Sequence, residues 1–284
     1  MSRALGVCSW SLQPNSPVEL AKRIRSCGLS AVQLALDPLG ETEWPIDQTL
    51  NALREAGIEI RSGMMRTRGE DYSSLESIRR TGGVRPDEHW AWNLANARRI
   101  ANLAGNIVGI KLVTFHAGFL PDSEDDDMRP VMIRRLRTIV DLFAEQGVNV
   151  GFETGQETAD TLLSVLAELK RSTCGVNFDP ANMLLYDHGD PLESLRKLAP
   201  HVLQIHIKDA VRTTTPGKWG METPVGAGEV DWPAFFGVMQ ECNIDCDLMI
   251  EREAGGKRIE EIRSAAELVG RTCALAQSPE LAPK

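Results

Sequence analysis

The 284-residue sequence predicts an α/β protein of the (β/α)8 barrel class. Three observations carry this reading. Eight strand-like runs alternate with eight helical stretches. The helical stretches tend to stop on glycine, the usual left-handed C-terminal residue. The last four strands separate an apolar face from a polar or small one, as strands lining a barrel and backed by helices do. A doubly wound sheet fits less well. It would carry a glycine fingerprint after the first strand, where this chain reads SWSLQP.

In chain order, LGVCSW (5–10) is the first strand, and Ser16 caps a helix that opens on Pro17 and runs to Cys27. AVQLALD (31–37) is followed by a helix over 47–56 that stops at Gly57. GIEIRSG (57–63) leads to a helix over 88–103 ending before Gly105. IKLVTFHAG (110–118) precedes a helix over 127–146 that stops at Gly147. VNVGFETG (148–155) precedes a helix over 157–170. CGVNFDPAN (174–182) is the sixth strand, with a short helix opening at Asp190-Pro191 and ending near Pro200. VLQIHIKDA (202–210) precedes a helix over 232–241 capped by Asp231. DLMIERE (247–253) is the eighth strand, and its helix over 257–269 ends at Gly270. No linker, repeat or low-complexity run divides the chain, so one barrel domain over residues 1–284 is expected.

Composition narrows the function classes. Forty acidic against thirty-one basic side chains leave a formal charge of -9, which argues against a nucleic-acid surface. No apolar run approaches the length of a membrane span, and MSRALGVCSWSLQP lacks the apolar core of a signal peptide. A cytoplasmic protein is the expectation. Cys8, Cys27, Cys174, Cys242, Cys246 and Cys273 are scattered. The C-x3-C at Cys242 and Cys246 has no second pair, so free thiols in a reducing compartment are expected.

Parity points to a site. Glu153 shares a face with Asn149 and Gly151, opposite Val148, Val150 and Phe152. Asp179 falls with Asn177, His206 with Gln204 and Lys208, and Glu251 with Met249. Inward residues at strand C-termini reach the barrel mouth. Three carboxylates and an imidazole gathered there would repel one another unless a cation neutralised them. One divalent ion, Mn, Co, Mg or Zn, suits this oxygen and nitrogen set.

At these residues the chain resembles a known family. GFETG, NFDPANM, HIKDAVR, VGAGEVDW and LMIERE are similar to motifs of the xylose-isomerase-like TIM-barrel sugar phosphate isomerases and epimerases. Relatives of that group include ketose 3-epimerases, hydroxypyruvate isomerase, inosose dehydratase and, more distantly, endonuclease IV enzymes. The resemblance implies Glu153, Asp179, His206 and Glu251 as metal ligands, Arg212 as a substrate contact, and Glu229 as a residue shaping the pocket. Two departures stand out. Asn182 occupies a place where epimerases often have histidine. His116 looks like a nuclease histidine, but the third strand ends in RSGMM and VGAGEV lacks a histidine pair, so a full nuclease cluster is not expected.

The reaction that suits this set is proton transfer beside a carbonyl, with Glu153 and Glu251 as the proton carriers of a keto-sugar or polyol isomerase or epimerase. A keto-sugar or keto-inositol dehydratase or lyase is the alternative. An abasic-site endonuclease and a non-catalytic sugar-binding barrel are more distant ones. His116, Asn182, Lys208, Trp10 and Trp219 join Arg212 and Glu229 as candidate substrate-binding residues. Lys208 either polarises a substrate oxygen, neutralises the acidic mouth or pairs with Asp209; Trp10 either stacks on sugar or packs. His188 reads as a surface residue. The expected partner is a small-molecule sugar, with no nucleic acid and no membrane. Trp44, Trp90, Trp92 and Trp232 read as helix or interface packing, compatible with a homodimer.

Overall fold

The structure, a computed structural model, describes residues 3–215 and 217–276, with side chains through residue 272; Cys273 lies outside the described side chains. The strands are β1 (Leu5–Cys8), β2 (Ala31–Ala35), β3 (Glu59–Met64), β4 (Leu112–Phe115), β5 (Asn149–Glu153), β6 (Cys174–Phe178), β7 (Val202–Ile207), β8 (Asp209–Val211), β9 (Met221–Thr223) and β10 (Asp247–Ile250). Eight of them close a parallel barrel in the order β1-β10-β7-β6-β5-β4-β3-β2. The helices are α1 (Pro17–Ser26), α2 (Ile46–Glu55), α3 (Leu75–Thr81), α4 (Asp87–Asn102), α5 (Met128–Ala144), α6 (Ala159–Leu169), α7 (Pro180–Leu185), α8 (Pro191–Leu198), α9 (Trp232–Glu241) and α10 (Arg258–Ala276).

Parity sorts the two sides of the barrel wall. Val150, Phe152, Val176, Phe178, Ile205, Ile207, Leu248 and Ile250 are buried in the core shared with the helices. Full burial of one such side chain contributes roughly 1.5–3 kcal/mol. The opposite parity fills the lumen with an unusual layer. Gln33, Ser62, Thr114, Asn177 and Gln204 are all buried there, where branched apolar residues commonly pack.

Several local readings change in the folded chain. The sixth strand stops at Phe178 and not at Asn182, because Asp179 caps α7: its Oδ1 accepts from the N–H groups of Ala181 at 2.8 Å and Asn182 at 3.0 Å. The seventh strand is interrupted after Ile207. Asp209–Val211 leaves the barrel and pairs antiparallel with β9, forming a hairpin at the mouth. Gly105 does not end α4, which widens into a π turn over Leu103–Val108 and ends on Gly109, φ 80°. A side chain at Gly105 would collide with Gln146, its Cβ falling 2.5 Å from that carbonyl oxygen, so close packing explains this glycine. Gly270 does not end α10 either.

Two carboxylates, the buried Asp209 and the half-buried Glu222, hold the hairpin in place. Asp209 Oδ2 accepts from Gly226 N at 2.8 Å and Trp232 Nε1 at 3.0 Å, while Oδ1 accepts from Ala210 N at 2.9 Å and Val230 N at 3.2 Å. Gly228 lies so near that a Cβ would sit 2.1 Å from Asp209 Oδ1. Glu222 on β9 receives Arg252 Nη1 at 2.6 Å and the backbone N–H groups of Glu253 and Ala254 at 2.9 and 3.1 Å. The hairpin is thereby tied to the segment that follows β10.

Candidate metal centre at the barrel mouth

Glu153 ends β5, Asp179 follows β6, His206 lies within β7 and Glu251 follows β10. Their ligand atoms all lie within 4.8 Å of one another. His206 Nδ1 stands 3.5 Å from Glu153 Oε1, 3.7 Å from Asp179 Oδ2 and 3.5 Å from Glu251 Oε2. All four side chains are buried. Most of their other polar atoms are engaged. Glu153 Oε1 accepts from Asn182 Nδ2 at 3.0 Å, and its Oε2 from Asn177 Nδ2 at 3.4 Å. Glu251 Oε1 accepts from Trp10 Nε1 at 2.7 Å, and its Oε2 from Lys208 Nζ at 2.8 Å.

Two atoms at the centre stay unpartnered: among the described residues His206 Nδ1 and Asp179 Oδ2 are buried without a hydrogen bond. Unpaired buried polar atoms are rare and costly. A bare imidazole nitrogen and a bare carboxylate oxygen facing two further carboxylates fit a divalent cation.

The charges agree with that fit. Burial opposes ionisation of Glu251, but Lys208 and His206 outweigh it and hold the carboxyl well below its usual range. Burial likewise opposes the Glu153 charge, yet His116 and His206 keep it lowered. At Asp179 burial prevails over the nearby His206 imidazole and the charge of Lys208, pushing the carboxyl up to about 6. Lys208 does not pair with Asp209. Its ammonium bridges Glu251 and Glu253, the latter at 2.6 Å, and their charges keep it protonated against burial.

The other candidate residues divide into two groups. Trp10, Asn182, Lys208 and His116 adjoin the centre directly, His116 through Nε2 at 3.5 Å from Glu153 Oε1. Trp219, Arg212 and Glu229 stand apart. Trp219 packs edge-on against Tyr186, 4.8 Å between ring centroids, beside Phe119 and Ile78. Arg212 binds Asp187 and, at 2.6 Å, the carbonyl of Gly189. Glu229 is exposed, and its backbone N–H donates to Ala210 O at 2.8 Å. His188 is half-buried and packs edge-on against Phe119. Sequence reasoning overlooked Glu253, although it repeats the inward parity of Glu251 two residues on. It also gave no role to Gln33 or Asn177, whose only signal was a polar residue at an inward position.

A second buried carboxyl lies outside the centre. Glu157, between β5 and α6, is 5% exposed and has no ion pair or hydrogen bond from its carboxyl among the described residues. Burial and then Asp122 push this group up from 4.5 to about 8. The folded protein keeps a proton that the unfolded chain loses, so stability falls as pH rises between those values. Glu157→Gln is expected to raise stability by about 4 kcal/mol at pH ~8 and to leave it unchanged at pH ~4. Urea midpoints at the two pH values measure the difference; equal shifts would refute the explanation.

A family model described as "Xylose isomerase-like TIM barrel" matches residues 21–272. The chain belongs to the xylose isomerase-like TIM barrel family. A solved xylose isomerase domain protein from Planctomyces limnophilus is 31% identical, with a TM-score of 0.83 over 88% of this chain and 91% of that one. A xylose isomerase-like TIM barrel protein from Mycobacterium smegmatis, solved in complex with magnesium, is 17% identical, with a TM-score of 0.75 over 98% and 100%. Neighbours sharing the fold at low identity include an L-ribulose 3-epimerase (14%, TM-score 0.73, covering 99% and 100%). Another is the probable 3-DHS dehydratase AsbF from Bacillus anthracis (17%, TM-score 0.71, covering 94% and 98%). Among curated proteins, the uncharacterized protein YihM of Escherichia coli is 25% identical over 129 residues, 44% of this chain and 39% of that protein. Among the described residues, no helix is long and apolar enough to cross a membrane.

Proposed function

We propose that this family member is a divalent-cation-dependent isomerase or epimerase of a keto-sugar or related polyol. The observation that carries the reading is the convergence of Glu153, Asp179, His206 and Glu251 around two unpartnered buried atoms. The epimerases among its structural neighbours support the same class. Glu153, Asp179, His206 and Glu251 would hold the ion. When bound, it supplies Lewis-acid stabilisation of the negative charge that develops on a substrate carbonyl oxygen.

The protein's own groups do the proton work. Glu153 and Glu251 each lie 3.5 Å from His206 Nδ1, at the ends of strands β5 and β10, which do not neighbour one another in the barrel. One carboxylate takes the proton from the carbon beside the carbonyl, and the other returns a proton to that carbon or its neighbour. Trp10 and Lys208 hold Glu251 in place; Asn182 and Asn177 hold Glu153. His116 and Asn182 would meet substrate oxygens at the Glu153 side. Trp10 would present its indole to sugar C–H groups, and Trp219, Arg212 and Glu229 would contribute from the rim.

Loss of water is the second reading. The Lys208 ammonium beside Glu251 favours it, because it can donate a proton to a departing hydroxyl. A dehydratase among the fold neighbours is compatible with it.

Cation binding tests the reading without a known substrate. Mn²⁺ at 100 times its dissociation constant is expected to stabilise the fold by about 2.7 kcal/mol, and EDTA should reverse the gain. Thermal unfolding measures it. A midpoint unmoved by Mn²⁺, Co²⁺, Mg²⁺ and Zn²⁺ alike would sink the proposal. Keto-sugars incubated with the loaded protein in D₂O then separate the reactions: deuterium uptake beside the carbonyl marks enolisation, and a product lighter by one water marks the dehydratase.

A further inference from the structure

We infer that Gln33 is a positioning residue that decides which nitrogen of His206 faces the metal centre. The inference rests on the metal-centre reading above and concerns a residue on β2, a strand that supplies none of the four converging side chains.

Thr114 Oγ1 donates its proton to Met64 Sδ at 3.4 Å. The oxygen is left to accept from Gln33 Nε2, 2.7 Å away, and the same amide nitrogen also lies 3.5 Å from the carbonyl of Gly63. Gln33 Nε2 is thereby committed to acceptors on β3 and β4, which fixes the orientation of the amide. Its Oε1 then faces His206 Nε2 at 2.7 Å, and Cys8 Sγ donates to that same oxygen at 3.4 Å. An amide oxygen accepts and cannot donate. Nε2 therefore carries a proton, and Nδ1, which faces Glu153, Asp179 and Glu251 without a hydrogen bond among the described residues, is the nitrogen left for a cation.

Asn177 Nδ2 also approaches His206 Nε2, at 3.0 Å. Its orientation is set elsewhere, since Asn177 Oδ1 accepts from Gln204 Nε2 at 3.1 Å and Nδ2 donates toward Glu153 Oε2. The shorter contact, to an oxygen, decides the tautomer. Were Gln33 turned over, its amide N–H would demand a bare Nε2. The proton would then move to Nδ1 and point into the cation position. The Gln33 amide is 0% exposed, and burying it so deeply is unfavourable unless every polar atom is matched. Metal-binding histidines commonly donate their second ring N–H to such an acceptor, and its loss weakens affinity by about 10–100-fold.

The experiment compares Mn²⁺ affinity, read from the EPR signal of free Mn²⁺, in the wild type, Gln33→Leu and Gln33→Glu. Gln33→Leu is expected to bind about 10–100-fold more weakly, while Gln33→Glu, which keeps an acceptor at the same place, stays within about threefold of wild type. Unchanged affinity in Gln33→Leu overturns the inference, as does an equal loss in both variants. The second measurement needs no variant: ¹⁵N spectra of histidine-labelled wild type, metal-free and loaded with Zn²⁺. A proton on His206 Nε2 is expected in both. A proton on Nδ1 alone in the metal-free protein, or Zn²⁺ on Nε2, overturns the assignment. A wild type that binds neither ion refutes the proposed function instead, and the metal-free spectrum still decides the part assigned to Gln33.

Discussion

Glu153→Gln and Glu251→Gln are each expected to lower turnover by about 10²–10⁴-fold, the range spanned when a proton carrier is lost. The substitution keeps the shape of the side chain and removes its charge and basicity. At Glu251 an amide oxygen can still accept from Trp10, but the Lys208 ammonium loses one of its two close anionic partners. At Glu153 the amide oxygen can still accept from Asn182. Geometry is therefore largely retained while proton transfer fails. Solvent-deuterium uptake into the responsive keto-sugar measures the loss, and Mn²⁺ affinity read beside it separates failed proton transfer from failed ion binding. A double variant exchanging deuterium at the wild-type rate would remove both residues from the mechanism.

Asp209→Ala should produce the largest loss of stability among substitutions away from the centre, about 3 kcal/mol. Asp209 is fully buried and accepts four hydrogen bonds, from Gly226, Val230, Ala210 and the indole of Trp232. Truncation leaves those donors facing a cavity. Asp209→Asn retains one oxygen acceptor and is expected to lose about half as much. Denaturant midpoints give the values, and hydrogen exchange over residues 221–232 should show the hairpin loosening first. An alanine variant within about 1 kcal/mol of wild type would show that water replaces the carboxylate.

The barrel was legible from particular residues. Val150, Phe152, Ile205, Ile207, Leu248 and Ile250 alternate with polar or small neighbours, and that alternation already separates the helix-facing wall from the lumen. The stops at Gly57 and Gly147 hold as left-handed residues. Short elements were not legible. α3 and α7 span seven and six residues, too few for an amphipathic period to emerge. β8 continues the parity of β7 in sequence, so its departure from the barrel has no local signal; the antiparallel partner Met221–Thr223 creates it.

The sequence by itself determined which side chains line the lumen, because parity along a strand is a local property of the extended backbone. That is enough to place Glu153, Asp179, His206 and Glu251 at one end of the barrel. Tertiary structure alone decided what each of them touches. Gln33 and His206 are 173 positions apart, and closure of the barrel brings them to 2.7 Å. Arg212 turns toward Asp187, and Lys208 bridges Glu251 and Glu253 rather than Asp209. Hydrogen-bond direction and charge pairing act over a few ångströms in space, and separation along the chain carries no record of them.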